Sequence, residues 1–190
     1  MSSHLPWYVA RASGFVAWGL VTASVLWGLA FSSRFTRRPK PAWVLDLHRF
    51  LGGFAVVFVG VHMGALMTDR YVGFGLAELL VPLASTWKPS AVAWGVIALY
   101  LLLAVELTSL MMRRLPRKLW RVVHHAGYLV FVLSVGHALA AGTDSGEVSV
   151  QWFALISVAL VAFMTLFRLL AERRSSRAVL RTADARVEAA

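Results

Sequence analysis

The chain is written in long apolar runs divided by short polar connections. Five runs, near 14–32, 47–67, 91–112, 122–141 and 150–170, each approach the roughly 20 residues that a helix needs to cross the hydrocarbon core of a bilayer. Lipid offers no hydrogen bonds to a bare backbone, so each run is expected to be helical. The fold expected is all-α, an integral membrane bundle of about five transmembrane helices occupying 1–171. An Arg/Ala-rich tail, 172–190, reads equally well as a short cytoplasmic helix or a disordered segment. The connection from Thr68 to Ser90 holds VGFGLAELLVPLAS, which is apolar, too short to span and interrupted by Pro82. It is expected at the outer interface, either covering a bound group or lying flat as an amphipathic loop.

Basic residues give the chain a direction. Arg34, Arg37, Arg38 and Lys40 follow the first run; Arg113, Arg114, Arg117, Lys118 and Arg121 lie between the third and fourth; Arg173, Arg174, Arg177, Arg181 and Arg186 follow the fifth. These clusters alternate with connections poorer in Lys and Arg, so the positive-inside rule places them in the cytoplasm. The expectation is a multi-pass protein of the cell's inner (plasma) membrane, N-terminus outside and C-terminus inside. The first run is expected to stay as an anchor, because its basic cluster follows the apolar stretch, opposite to a signal peptide.

Composition agrees with lipid as the solvent: 59% of the 190 residues are hydrophobic, and mean hydropathy is +0.69. A formal charge of +10 invites a nucleic-acid reading, but the charges sit at the ends of apolar runs and no basic recognition module accompanies them. No nucleic-acid partner is expected. There is no cysteine, which excludes disulfides, iron–sulfur clusters and thiolate metal sites.

The candidate chemistry is histidine. His48 and His62 stand fourteen residues apart in LHRFLGGFAVVFVGVHMGAL, and His124 and His137 thirteen apart in VVHHAGYLVFVLSVGHALAAG. At about 1.5 Å per residue each pair spans roughly 20 Å. The two runs cross in the same direction, so His48 meets His124 near the inner face and His62 meets His137 near the outer face. Titratable groups in membrane spans point to function. Two imidazoles on opposite faces of a porphyrin give six-coordinate iron, which carries electrons. Zinc fits less well, since two histidines supply half of a four-ligand site. The competing reading treats the histidines as packing groups. A fourteen-residue step returns within about 40° of one helix face, but a thirteen-residue step misses by about 140°. The fourth run therefore needs a local distortion, or presents its histidines from different sides. His125 competes with His124, and geometry alone does not choose between them; a hydrogen bond to a haem propionate is a second role for His125.

Other features fit a cofactor cleft without requiring one. Gly52, Gly53, Gly60, Gly64, Gly127 and Gly136 thin the histidine-bearing runs, as plain helix packing would also ask. Arg49 and Arg121 adjoin the inner histidines and can pair with propionates or anchor the helix ends. Glu106 is expected to snorkel toward Arg113. Trp7, Trp43, Trp87 and Trp120 are expected in the interfacial belts.

The segments LHRFLGGFAVVFVGVHMGAL and LPRKLWRVVHHAGYLVFVLSVGHALAAGTD resemble the ferric reductase-like transmembrane domain family. It includes the membrane portions of ferric reductases and NADPH oxidases, and the haem subunit of a bacterial methionine sulfoxide reductase system. The similarity runs from about Leu47 to Leu170 and includes Leu119–Arg121, Tyr128 and both histidine spacings. The resemblance implies two b-type haems, an inner one on His48 and His124 and an outer one on His62 and His137, and it selects His124 over His125. The thirteen-residue step is then a family property.

The function expected is transmembrane electron transfer, as the membrane subunit of an oxidoreductase system, with no catalytic residue of its own. The chain stops at Ala190 without a Gly-rich dinucleotide fingerprint. Electrons are therefore expected from a separate flavoprotein, a quinol or a loosely bound flavin, and an extracytoplasmic protein is one expected acceptor. The alternatives are a single-haem cytochrome, or a non-redox transporter or assembly subunit with structural histidines.

Overall fold

The computed structural model describes residues 4–32, 41–69 and 73–188. The basic cluster Arg34, Arg37, Arg38 and Lys40, and Arg70, lie outside them. The described residues form only helices and connections. The helices are α1 (Leu5–Ser32), α2 (Ala42–Thr68), α3 (Leu76–Leu80), α4 (Pro89–Leu110), α5 (Arg117–His125), α6 (Gly127–Ala141) and α7 (Val148–Glu188). Five segments are long and apolar enough to cross a membrane, α5 and α6 together making one of them. The protein is an all-α membrane bundle.

Helix boundaries depart from the apolar pattern where polar residues are tolerated near a helix end. α1 begins at Leu5, well before the apolar run, because Pro6 suits a first helical turn and Arg11 has a partner. α7 continues beyond the fifth apolar run as one helix through the polar tail to Glu188. Hydroxyls within the spans bond back to their own helix: buried Ser13 to the Val9 carbonyl at 2.6 Å and buried Thr22 to Trp18 at 2.9 Å, and half-buried Thr108 to Ala104 at 2.7 Å. These bonds satisfy polar groups that lipid cannot.

α1 packs along α2, α4 along α6, and α1 also touches α6 and α7, whereas α2 and α6 share no extended contact. Trp18, Val21, Leu29, Leu102, Val130 and Phe131 form the centre of the core. The outward faces stay apolar, with Val57, Phe163 and Leu110 exposed. In water such a surface would aggregate; in a bilayer it is the lipid contact.

At one end of the bundle, Lys88 precedes α4 and donates to the Ala140 carbonyl at 2.8 Å, joining a cation to the last turn of α6. Arg11 of α1 forms an ion pair with Asp144 in the α6–α7 connection. The segment around α3 folds over this end, and its Phe74 and Leu79 pack with Val92 and Val96 of α4.

Candidate functional site

The four histidines meet in two pairs. Ring centres of His48 and His124 lie 5.8 Å apart at an interplanar angle of 74°. Those of His62 and His137 lie 6.4 Å apart at 85°. The pairs are at opposite ends of the bundle, and α2 runs parallel to α5 and α6.

Each histidine is held by the nitrogen that faces away from its partner helix. His62 Nδ1 is 2.7 Å from the Ala10 carbonyl, and His137 Nδ1 is 2.8 Å from the Ala91 carbonyl. His48 Nδ1 is 3.3 Å from Ser24 Oγ, and His124 Nδ1 is 3.4 Å from Ser109 Oγ. A carbonyl oxygen accepts only, so Nδ1 of His62 and His137 carries the proton and Nε2 presents its lone pair. That arrangement orients an imidazole ligand and raises its basicity.

Glycines make these approaches feasible. A Cβ on Gly14 would lie 3.1 Å from His62 Nδ1, one on Gly28 3.1 Å from His48 Cε1, and one on Gly95 2.7 Å from His137 Cε1. Gly14, Gly28 and Gly95 each stand four residues after the residue that bonds the histidine: Ala10, Ser24 and Ala91. One helical turn later is where a side chain would cover that acceptor. α1 repeats this arrangement after fourteen residues, matching the fourteen between His48 and His62 on the antiparallel α2. Of the glycines singled out in the sequence, Gly53, Gly60, Gly64 and Gly127 face open space, Gly136 abuts Trp94, and Gly52 abuts Glu106.

The distortion required of the fourth span lies between its histidines. α5 ends at His125, the Ala126 amide bonds to the Val123 carbonyl at 2.9 Å, and α6 begins at Gly127. The three-residue bond tightens the turn and breaks the register that would otherwise separate His124 and His137 by about 140°.

The remaining candidates lie around the pairs. His125 is exposed, and its Nδ1 is 2.6 Å from the Arg121 carbonyl of its own helix. Arg121 is exposed. Arg49 is exposed and lies 3.7 Å from Asp46. Glu106 corrects an expectation. Its carboxylate turns to the backbone of α2 at Gly52 rather than snorkelling to Arg113, because Gly52 leaves room inside the bundle. Trp120 stacks on His124, with ring centres 5.0 Å apart and planes 22° apart. Its Nε1 is buried without a partner among the described residues.

A cavity of about 260 Å³ opens beside His62 and His137. Trp18, Phe74, Leu79 and Trp87 wall it, and Arg11 and Asp144 stand at its polar rim. Sequence reasoning missed Arg11, Gly14, Gly28 and Gly95. The small-x-x-x-Gly spacing at 10/14, 24/28 and 91/95 is the signal that could have found the glycines.

These residues fit an iron porphyrin. Two imidazoles bound on opposite sides of one ion at about 2.0–2.1 Å would bring their ring centres to roughly 6 Å, which lies between the observed separations of 5.8 and 6.4 Å. Among the described residues no cluster of three or more His, Asp or Glu exists. Each pair offers two nitrogens, the axial complement of a planar four-nitrogen macrocycle.

Fold and site together define an all-α membrane protein with stacked histidine pairs, one toward each end of the bundle. The chain belongs to the family described as ferric reductase like transmembrane component, whose model matches residues 13–135. The match takes in α1, and it ends two residues before His137. Neither a curated protein nor a solved structure matches the chain. Membership implies electron transfer across a membrane as the general activity and haem as the cofactor class.

Proposed function

We propose that the protein carries electrons across the inner (plasma) membrane through two bis-histidine b-type haems, His48 and His124 holding the inner one and His62 and His137 the outer one. The observation that carries this reading is the four-fold repetition of one device: a paired imidazole, Nδ1 tethered and Nε2 unengaged. A haem so ligated exchanges one electron and keeps no open position. The chain's own contribution is orientation, burial and exclusion of water. Ala10, Ala91, Ser24 and Ser109 fix the ligand rings, while the α3 segment and Trp87 cover the outer pocket. Arg49, Arg121 and His125 lie at the cytoplasmic rim of the inner site, where propionates would find donors.

The N-terminus lies outside and the C-terminus in the cytoplasm, residues 1–171 forming the haem domain and 172–190 a basic extension. A separate flavoprotein, a quinol or a loosely bound flavin supplies electrons, and an acceptor outside, a protein among the candidates, removes them.

Reduced-minus-oxidised spectra and haem assay of the purified protein test this reading. The expected result is a b-type spectrum and two haems per chain. Replacing His62 or His137 by alanine should lower the ratio to one and leave the inner signal. A colourless wild-type protein, or full haem content in both variants, overturns it.

A further inference from the structure

Glu106 is a half-buried acid within a membrane span, without a partner among the described residues. No hydrogen bond or ion pair holds it among the described residues. Its carboxylate lies against α2 where a Cβ on Gly52 would have to be. Gly52 stands four residues after His48, about 6 Å along the helix, so the acid meets α2 about one turn from the inner histidine pair, toward the bundle's centre. Its neighbours on α4 are committed elsewhere: Thr108 bonds the Ala104 carbonyl at 2.7 Å, and Ser109 lies 3.4 Å from His124 Nδ1. His48 and His124 face each other. The nearest arginine on α2, Arg49, is exposed and beside Asp46. Among the described residues, no side chain supplies a cation to Glu106.

An acid in such a place is costly unless a positive charge accompanies it. Apart from its propionates, which would lie toward the cytoplasmic rim, an iron porphyrin with two neutral imidazoles would carry one positive charge at its core when oxidised and none when reduced, since the macrocycle is a dianion. We infer that Glu106 is the counter-charge of the inner haem and lowers its reduction potential; the inference rests on the two-haem reading above. The inner pair has a particular need for it. Its Nδ1 contacts, 3.3 and 3.4 Å to hydroxyls, are longer than the 2.7 and 2.8 Å carbonyl contacts of the outer pair. The inner imidazoles are therefore less basic, which alone raises the inner potential relative to the outer one. A carboxylate within about 10 Å, at an effective dielectric constant of about 20, shifts a charge equilibrium roughly tenfold the other way. The electron passes between the centres with no bond made and no proton transferred, so Glu106 acts on the driving force only.

The test is redox titration of the purified protein, following both haems by absorbance. The inner one is assigned in a His62→Ala background. Glu106→Gln keeps size and removes charge; it should favour reduction of the inner haem about tenfold, near 59 mV for one electron, and leave the outer midpoint in place. Glu106→Asp retains the charge and should stay closer to wild type than Gln. An unchanged inner midpoint in Glu106→Gln, or equal movement of both midpoints, overturns the inference. If Gln loses the inner haem, retention by Asp supports the charge role, and loss by both assigns Glu106 to packing. A wild-type protein without haem fails the two-haem reading itself and is distinguished at the first spectrum.

Discussion

At the scale of the residue, the site depends on what is missing from glycine. A methyl group on Gly95 would stand 2.7 Å from His137 Cε1, against a ring already tied to the Ala91 carbonyl. Gly95→Ala is expected to displace that ring and reduce the outer haem by half or more, read from the haem-to-protein ratio. Gly53→Ala is the matched control, since nothing lies within 4 Å. It should keep both haems and gain a little thermal stability, alanine being the better helix former by about 1 kcal/mol. The sequence displayed the histidines plainly, because an imidazole in an apolar run has few innocent explanations. It hid Gly14, Gly28 and Gly95, because small residues are common in membrane helices and their meaning appears only when the opposing ring is in place. Glu106 misled for a related reason. Its own helix offers a route toward Arg113, and the space at Gly52 that draws it the other way belongs to a different helix.

At the scale of the element, the informative feature is the break between α5 and α6. Periodicity in the fourth run demanded a distortion but gave no position for it. Gly127 is a weak point for a helix, but Gly136 in the same run offers the same signal, so the sequence does not choose between them. Register on the two sides differs accordingly. Ser109 serves His124 on one side of the break, and Ala91 serves His137 on the other. One alanine inserted between Ala126 and Gly127 rotates the two halves by about 100° relative to each other. It should abolish one haem while preserving helix content by circular dichroism. Loss of neither haem would show that the break absorbs the insertion. Trp120, stacked on His124 with its N–H buried, supports the same half. Trp120→Ala is expected to broaden the inner haem's electron paramagnetic resonance signal as the His124 plane loses its restraint; an unaltered signal would remove Trp120 from the site.

At the scale of the whole molecule, five apolar runs were enough to read the bundle and its parallel histidine helices, because hydropathy integrates over twenty residues and forgives local error. Ends were less legible. α1 reaches back to Leu5 because Arg11 finds Asp144, a partner far away in sequence. Orientation is open to direct measurement, since the natural chain has no cysteine. In intact cells, a Ser145→Cys variant should react with a membrane-impermeant maleimide, and Arg114→Cys only after permeabilisation; the reverse pattern would invert the topology. The separation of α2 from α6 has a wider bearing. On the two-haem reading, the protein is like a book whose spine is the α1–α6 contact and whose covers, touching directly where Glu106 of α4 meets Gly52 of α2, are otherwise held by what is pressed between them. Insertion of the pigment then becomes the closing act of biogenesis, so cells starved of porphyrin should hold little of this protein, its unlatched chains being cleared by membrane proteases.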